Sequence, residues 1–200
     1  MKLQKIIFLA AIFLTTSCVE TVVLGSIGGG YAATREKTLK ETQGDLIISS
    51  TLSVDFVIHG LKNPGNSINF TVNEGRVLLT GIARDQKKAL LANKVAVDAL
   101  GVKEVIDEIE LRDEGFRARD VSSALFDYLT TAQVEAKLLI TRDVRWPNYK
   151  ITTVNGSVYL LGVAANDFEL QRALTVVSKT HGVERVVNHV VLRDDQRRRG

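Results

Sequence analysis

Histidine and acidic side chains are the groups in this 200-residue sequence that could transfer protons or hold a metal ion. His59 ends a predicted helix, His181 precedes a glycine that stops another helix, and His189 lies within a predicted strand. Neither His181 nor His189 has a carboxylate or cysteine at ligand spacing, so a position near a helix terminus explains His181 better than a metal pair does. We expect no enzymatic activity, no metal, no cofactor and no small-molecule substrate.

Two other motifs lack the context that a functional site would need. Asp107, Glu108 and Glu110 alternate along a predicted strand, which indicates a mainly solvated surface. The triplet at residues 28–30 is Gly-Gly-Gly, without the preceding strand, the lysine and the following helix of a phosphate-binding loop. A net charge of +3 is too small an excess to indicate nucleic acid as a partner.

Cys18 is the only cysteine of the chain, and it follows a short apolar segment at residues 6–14 that Lys2 and Lys5 precede. Because a bilayer-spanning helix needs about 20 apolar residues, this pattern predicts a secretory signal. Residues 14–18, Leu-Thr-Thr-Ser-Cys, resemble the lipobox of bacterial lipoproteins, although Thr15 stands where Leu, Val or Ile is usual. The resemblance implies cleavage before Cys18 and lipid on its thiol; the alternative is a secreted protein with a spare thiol.

The chain repeats itself, because residues 77–113 align with residues 158–194 at a constant offset of 81 without a gap. Such a repeat predicts two small domains of one fold. The identical pairs are Val77/Val158, Leu79/Leu160, Gly81/Gly162, Ala83/Ala164, Ala92/Ala173, Val95/Val176, Gly101/Gly182, Val102/Val183, Val105/Val186, Leu111/Leu192, Arg112/Arg193 and Asp113/Asp194.

Hydrophobic periodicity gives each repeat the order αββαβ. The first helix of each repeat is predicted at residues 45–59 and 127–141, followed by a hairpin, a helix ended by glycine and a last strand. The fold class is therefore α+β, with a three-stranded mixed sheet and two helices on one sheet face in each copy. The predicted segments are a signal at 1–17, a lipidated Cys and flexible tether at 18–44, domain 1 at 45–113, a linker at 114–122, domain 2 at 123–194 and a basic tail at 195–200. The alternative for residues 34–42 of the tether is a loose helix.

A strand that ends in glycine, a helix that ends in Gly-Val and a closing strand opened by Val resemble the BON domain. The residues that carry the resemblance are Val77 to Gly81 with Gly101, Val102 and Val105, and Val158 to Gly162 with Gly182, Val183 and Val186. With its lipobox and tandem copies, the chain resembles the dual-BON outer-membrane lipoproteins of Gram-negative bacteria. This resemblance implies a non-enzymatic periplasmic protein that supports outer-membrane integrity and contacts anionic phospholipid through the first helix of its second domain. By the sorting rule of enteric lipoproteins, Val19 after the cysteine indicates the outer membrane.

The first helix of domain 2 has two apolar stripes, and we expect one to face the core and the other to contact lipid. The stripe expected to face the core contains Leu129, Ala132, Ala136, Leu139 and Ile140. The residues expected to contact an anionic membrane, by chemistry or position, are Tyr128, Leu129, Thr131, Val134, Lys137, Leu138, Arg142, Arg145 and Trp146. Packing between the domains is the alternative explanation of the outward stripe, since Leu52 and Phe56 form a similar one in domain 1.

The sheet face opposite the core differs between the copies. Domain 1 carries Leu78, Thr80, Ile106, Glu108 and Glu110 there, whereas domain 2 carries Tyr159, Leu161, Val187, His189 and Val191. A contiguous apolar face usually marks an interface. We therefore expect Tyr159, Leu161, Val187 and Val191 to receive Leu52 and Phe56 of the other domain. The first helix of domain 1 is then expected to face its own core through the opposite side, which carries Ile47, Val54, Val57 and Ile58.

Two classes of function remain. The first is a lipoprotein of the periplasmic face of the outer membrane, anchored by lipid on Cys18, whose second domain binds an anionic phospholipid membrane. The second is a periplasmic scaffold that binds envelope assembly or stress-response proteins and has no direct lipid role. The basic excess of domain 2 over domain 1 favours the first class.

Overall fold

The computed structural model describes residues 39–63, 66–112 and 118–198. Cys18, the predicted signal and most of the predicted tether lie outside the described residues. The described residues all belong to one compact unit. Among the described residues, no helix combines the length and the apolar character that crossing a bilayer requires.

Domain 1 consists of two helices and a four-stranded mixed sheet. Its elements are α1 (Leu39–Ile58), β1 (Lys62–Asn63), β2 (Asn66–Asn73), β3 (Arg76–Ala83), α2 (Gln86–Asp98) and β4 (Glu104–Leu111). The strand order is β1-β2-β3-β4, antiparallel except for the parallel pair β3 and β4. The two-residue strand β1 extends the three-stranded sheet that the sequence predicts.

Domain 2 has the same order of elements. They are α3 (Ala118–Ile140), a 3-10 turn (Trp146–Asn148), β5 (Tyr149–Val154), β6 (Ser157–Ala164), α4 (Asp167–Ser178) and β7 (Arg185–Leu192), followed by a second 3-10 turn (Gln196–Arg198). Its sheet has the order β5-β6-β7, with β6 and β7 parallel. The predicted α+β fold with two αββαβ copies is confirmed. Helices α1 and α3 begin at Leu39 and Ala118, within the segments predicted as tether and linker.

A carboxylate in the first helix of each domain binds the turn of its own hairpin. Asp45 accepts hydrogen bonds of 2.8 Å from the backbone amides of Glu74 and Gly75. Asp127 accepts equivalent bonds from Asn155 and Gly156, at 2.7 and 2.9 Å. Both turn residues have positive φ in each copy, which is the two-residue type I′ geometry that suits a hairpin. These bonds fix the rotation of each helix relative to its sheet.

The rotation of α1 is opposite to the predicted one. Ile48, Leu52 and Phe56 face the sheet, and the last two are 0% exposed. The Phe56 ring meets that of Phe70 edge to face, with centroids 5.0 Å apart. The residues expected to face the core, which are Ile47, Val54, Val57 and Ile58, are exposed instead. The expected docking of Leu52 and Phe56 against domain 2 is therefore wrong, because both side chains fill the core of domain 1.

The two sheets pack against each other through the faces that carry no helices. Leu78 forms a buried cluster with Tyr159 and Leu161, and Ile106, Val154 and Val187 surround it. Val191 is also buried. The apolar face of domain 2 thus meets the sheet of domain 1 instead of its first helix. The order of layers is helix, sheet, sheet, helix.

Hydrogen bonds and one ion pair complete the contact between the domains. His189 Nε2 lies 3.0 Å from Glu108 Oε1, and the Arg76 guanidinium donates a hydrogen bond of 2.8 Å to the backbone carbonyl of His189. Arg198, in the predicted basic tail, donates two hydrogen bonds of 2.8 and 3.0 Å to the buried carboxylate of Glu74. The tail therefore joins domain 2 to the hairpin turn of domain 1.

Candidate functional site

Helix α3 buries a different face from the one expected. Asp127, bound to the hairpin turn, is half-buried, and Thr130, Val134 and Leu138 follow it into the interior at helical spacing. Val134 and Leu138 are fully buried with Val158 and Leu160. Their expected contact with lipid is wrong, because they form the core of domain 2.

Thr131 was also expected at a lipid surface. It is half-buried, and its hydroxyl lies 2.7 Å from that of Thr153 in β5. This side chain joins α3 to the sheet and does not belong to an outward surface.

The outward face of α3 is an uninterrupted apolar stripe. With about 100° of rotation per residue, its members fall within a sector about 120° wide that contains no charged residue. They are Val121, Leu125, Tyr128, Leu129, Ala132, Ala136, Leu139 and Ile140, and all of them are exposed. We call these residues the α3 stripe. Of the expected lipid contacts, Tyr128 and Leu129 lie in it.

The C-terminal end of α3, the two residues after it and the neighbouring helix α4 line a broad, open groove of about 820 Å³. Four basic residues line it: Lys137, Arg142, Arg172 and Lys179. Ile140 and Phe168, which are 82% and 63% exposed, stand at the same groove. The Arg172 guanidinium lies 5.9 Å from the centre of the Phe168 ring. The groove is therefore a cationic hollow beside the end of the α3 stripe.

Arg145 and Trp146 lie in the segment after α3, and the groove lining does not include them. The backbone amide of Arg145 donates a hydrogen bond of 2.9 Å to the carboxylate of Glu169. Trp146 is partly buried and packs against the core of domain 2. Glu169 also accepts a 3.2 Å bond from the hydroxyl of Tyr149. Burial, with the adjacent Glu169 charge, raises the pKa of Tyr149 above its ordinary value of 10.0. This segment stabilises the domain around a buried carboxylate.

Sequence reasoning did not identify the contribution of α4 to the groove. Phe168, Arg172 and Lys179 correspond, at the repeat offset of 81, to Lys87, Leu91 and Asp98 of domain 1. A comparison of charge between the copies would have detected this difference. The first helices correspond at an offset of 82, as the paired turn contacts of Asp45 and Asp127 indicate, so Lys137 matches Asp55.

The histidines do not assemble a metal centre in the described part of the chain. No group of three His, Cys, Asp or Glu side chains there could hold a metal ion. His189 instead pairs with Glu108 across the domain contact.

Comparison with known proteins agrees with this architecture. Residues 51–113 and 127–194 each match the BON domain. The uncharacterized protein in gshII 5'region of Anaplasma centrale is 33% identical over 155 residues, which cover 78% of this chain and 99% of that protein. The outer membrane lipoprotein DolP of Haemophilus influenzae is 30% identical over 188 residues, 90% of this chain and 91% of DolP. The osmotically-inducible protein Y of Escherichia coli is 28% identical over 175 residues, 80% of this chain and 86% of that protein. The chain therefore belongs to the dual-BON-domain family of envelope proteins.

Proposed function

We propose that this protein is a non-enzymatic lipoprotein of the periplasmic face of the outer membrane, anchored through Cys18, whose second BON domain binds anionic phospholipid and supports outer-membrane integrity. The likeness to a protein named outer membrane lipoprotein supports the location. The lipid attachment rests on the sequence around Cys18.

The observation that carries the lipid-binding role is the α3 stripe. A soluble protein rarely leaves a long apolar helix face exposed unless the face binds a partner or a membrane. Tyr128 supplies an amphipathic ring of the kind that favours a bilayer interface. Lys137 and Arg142 lie beside the stripe, and each basic residue near an anionic surface contributes about 1 kcal/mol.

Vesicle flotation tests this role with a chain that begins at Thr34, because all the described core clusters belong to one compact unit that lies within residues 34–200. Such a chain lacks Cys18 and cannot bind through an attached lipid. We expect it to float with vesicles that contain phosphatidylglycerol and to remain unbound with pure phosphatidylcholine. Added salt should weaken the binding, since surface charge attraction is screened.

The two domains provide a matched pair of variants. Leu129→Ser with Leu139→Ser changes the α3 stripe, and Ile47→Ser with Val57→Ser changes the corresponding exposed positions of α1. We expect the α3 double variant to lose at least about tenfold in vesicle affinity, and the α1 variant to match the unmodified chain. Equal loss in both variants, or none in either, would contradict a lipid surface on domain 2.

A second candidate function is a scaffold for envelope proteins. The exposed apolar residues of α1, which include Leu46, Ile47 and Val54, favour it. The acidic Asp55 lies on the same helix where domain 2 has Lys137. A surface of this composition suits a protein partner better than an anionic membrane. Loss of a crosslinked partner from cells that carry Leu46→Ser with Val54→Ser would support the scaffold.

A further inference from the structure

The groove between α3 and α4 has an unbalanced charge. Its lining contains four cationic side chains and no carboxylate. Within the described residues, no salt bridge involves Lys137, Arg142, Arg172 or Lys179. Cations brought together without acidic partners repel one another, and a bound anion would relieve that repulsion.

Domain 1 shows that the fold itself does not require this charge. At the positions that correspond to Lys137 and Lys179, domain 1 has Asp55 and Asp98. Asp98 there accepts a 2.8 Å bond from Lys94 on the same helix. The same pair of helices thus packs in domain 1 with acidic residues at these positions, so the cations of domain 2 are not needed for folding.

Resting on the proposed lipid-binding function, we propose that this groove is a binding site for the phosphate headgroup of an individual anionic lipid. Arg172 and Arg142 can each present two N–H groups to phosphate oxygens, while Lys137 and Lys179 add point charges. Ile140 and Phe168 at the groove favour a phosphate that carries acyl chains over free phosphate, because these exposed side chains would cover part of the chains.

The test is an NMR titration of the chain from Thr34 with dihexanoyl phosphatidylglycerol below its micelle-forming concentration. Parallel arms use glycerol 3-phosphate, inorganic phosphate and dihexanoyl phosphatidylcholine. We expect saturable shifts at the amides of Ile140, Phe168 and Arg172 with the anionic lipid, and an affinity at least about tenfold lower in the other arms.

Arg172→Gln with Lys179→Gln should lower the affinity for the monomeric lipid about tenfold or more. The matched control is Arg84→Gln with Lys87→Gln, which removes the same charge from exposed positions of domain 1 and should leave the affinity unchanged. Neither pair touches the α3 stripe.

The outcomes separate this proposal from the proposed function. Equal binding of glycerol 3-phosphate and the lipid would overturn a lipid headgroup site, as would a loss of the same size in both variant pairs. Vesicle binding that depends on the α3 stripe, with no saturable shift at the groove, would overturn the groove and leave the membrane role intact. Saturable groove binding in a chain that fails to float with vesicles would support the groove and contradict the membrane role.

Discussion

The hydroxyl of Thr71 lies 3.1 Å from that of Thr152, and these threonines occupy the same position in the two copies of the repeat. Glu108 and His189, 3.0 Å apart, are also related by the offset of 81. Contacts between equivalent residues lie on the two-fold axis of an isologous interface. The two BON domains therefore meet as a symmetric dimer would, with both halves encoded in one chain.

Thr80 departs from this symmetry, because it is polar whereas its counterpart in domain 2, Leu161, is apolar. Its side chain is fully buried, and its hydroxyl has no hydrogen-bond partner among the described residues. Thr80→Val should raise the free energy of unfolding by about 1 kcal/mol, because the shape is kept and the buried hydroxyl is removed. Urea denaturation measures the change. Thr71→Val, which removes a bonded hydroxyl, is the control and should not stabilise; a less stable Thr80→Val protein would contradict the assignment.

The rotation of α3 can be tested at two adjacent leucines. Leu138 is 0% exposed and Leu139 is 54% exposed. Leu138→Ala should lower the free energy of unfolding by about 3 kcal/mol, because it leaves a cavity in the core. Leu139→Ala should change it by less than about 0.5 kcal/mol. Thermal and urea denaturation measure both changes. If Leu139→Ala lowers the free energy of unfolding more than Leu138→Ala does, this rotation of α3 is wrong.

The tail can be tested at two neighbouring arginines. Arg198→Ala leaves the buried carboxylate of Glu74 without its guanidinium partner, and should cost about 3 kcal/mol. Arg197 pairs with Asp195, whose pKa its hydrogen bonds hold at about 2, but the Arg197 side chain is 54% exposed. Arg197→Ala should therefore cost less than about 1 kcal/mol. Both are measured by urea denaturation.

Restoring charge balance provides the control for that measurement. Glu74→Gln combined with Arg198→Ala should recover part of the lost stability, because no buried charge then remains unpaired. If the double variant is as unstable as the two single changes added together, the ion pair does not join the domains.

Stability should also depend on alkaline pH through Tyr149. Its folded pKa is raised above 10.0 by burial and by Glu169, so above pH 10 the unfolded state loses its proton first. The contribution is fully present below pH 10 and falls as the pH rises, by at most about 1.4 kcal/mol per pH unit. Urea denaturation between about pH 8 and about pH 11 should show a shallower decline for Tyr149→Phe than for the unmodified chain. Identical slopes would indicate that the Tyr149 hydroxyl reaches solvent.

The order of elements was predictable because the alternation of apolar side chains and the glycines that end helices are local signals, and the repeat was predictable because its offset has no gap. The rotations of α1 and α3 were not, because both helices carry apolar residues on two faces. Asp45 and Asp127 determine the rotation of their helices by binding the hairpin turns. A prediction based on hydrophobic periodicity assigns such carboxylates to the surface instead. Their bonds to turn amides about 30 residues away appear only in the folded chain.

The interface prediction failed in part for the same reason. The apolar face around Tyr159 and Leu161 packs against Leu78 of domain 1, whereas the predicted rotation of α1 left Leu52 free to cover that face. The groove needs side chains from two helices, and the sequence indicates it only when Lys137 is compared with Asp55 and Lys179 with Asp98.

Because the sheets pack back to back, the helices of the two domains lie on opposite sides of the molecule. The two helical layers are about 30 Å apart if neighbouring layers are about 10 Å apart. A single flat bilayer can then touch only one of them. Whenever the α3 stripe lies on a membrane, α1 and α2 must point into the aqueous space. The two domains therefore present their helices on opposite sides of the molecule, and a partner bound to the helices of one domain leaves those of the other accessible.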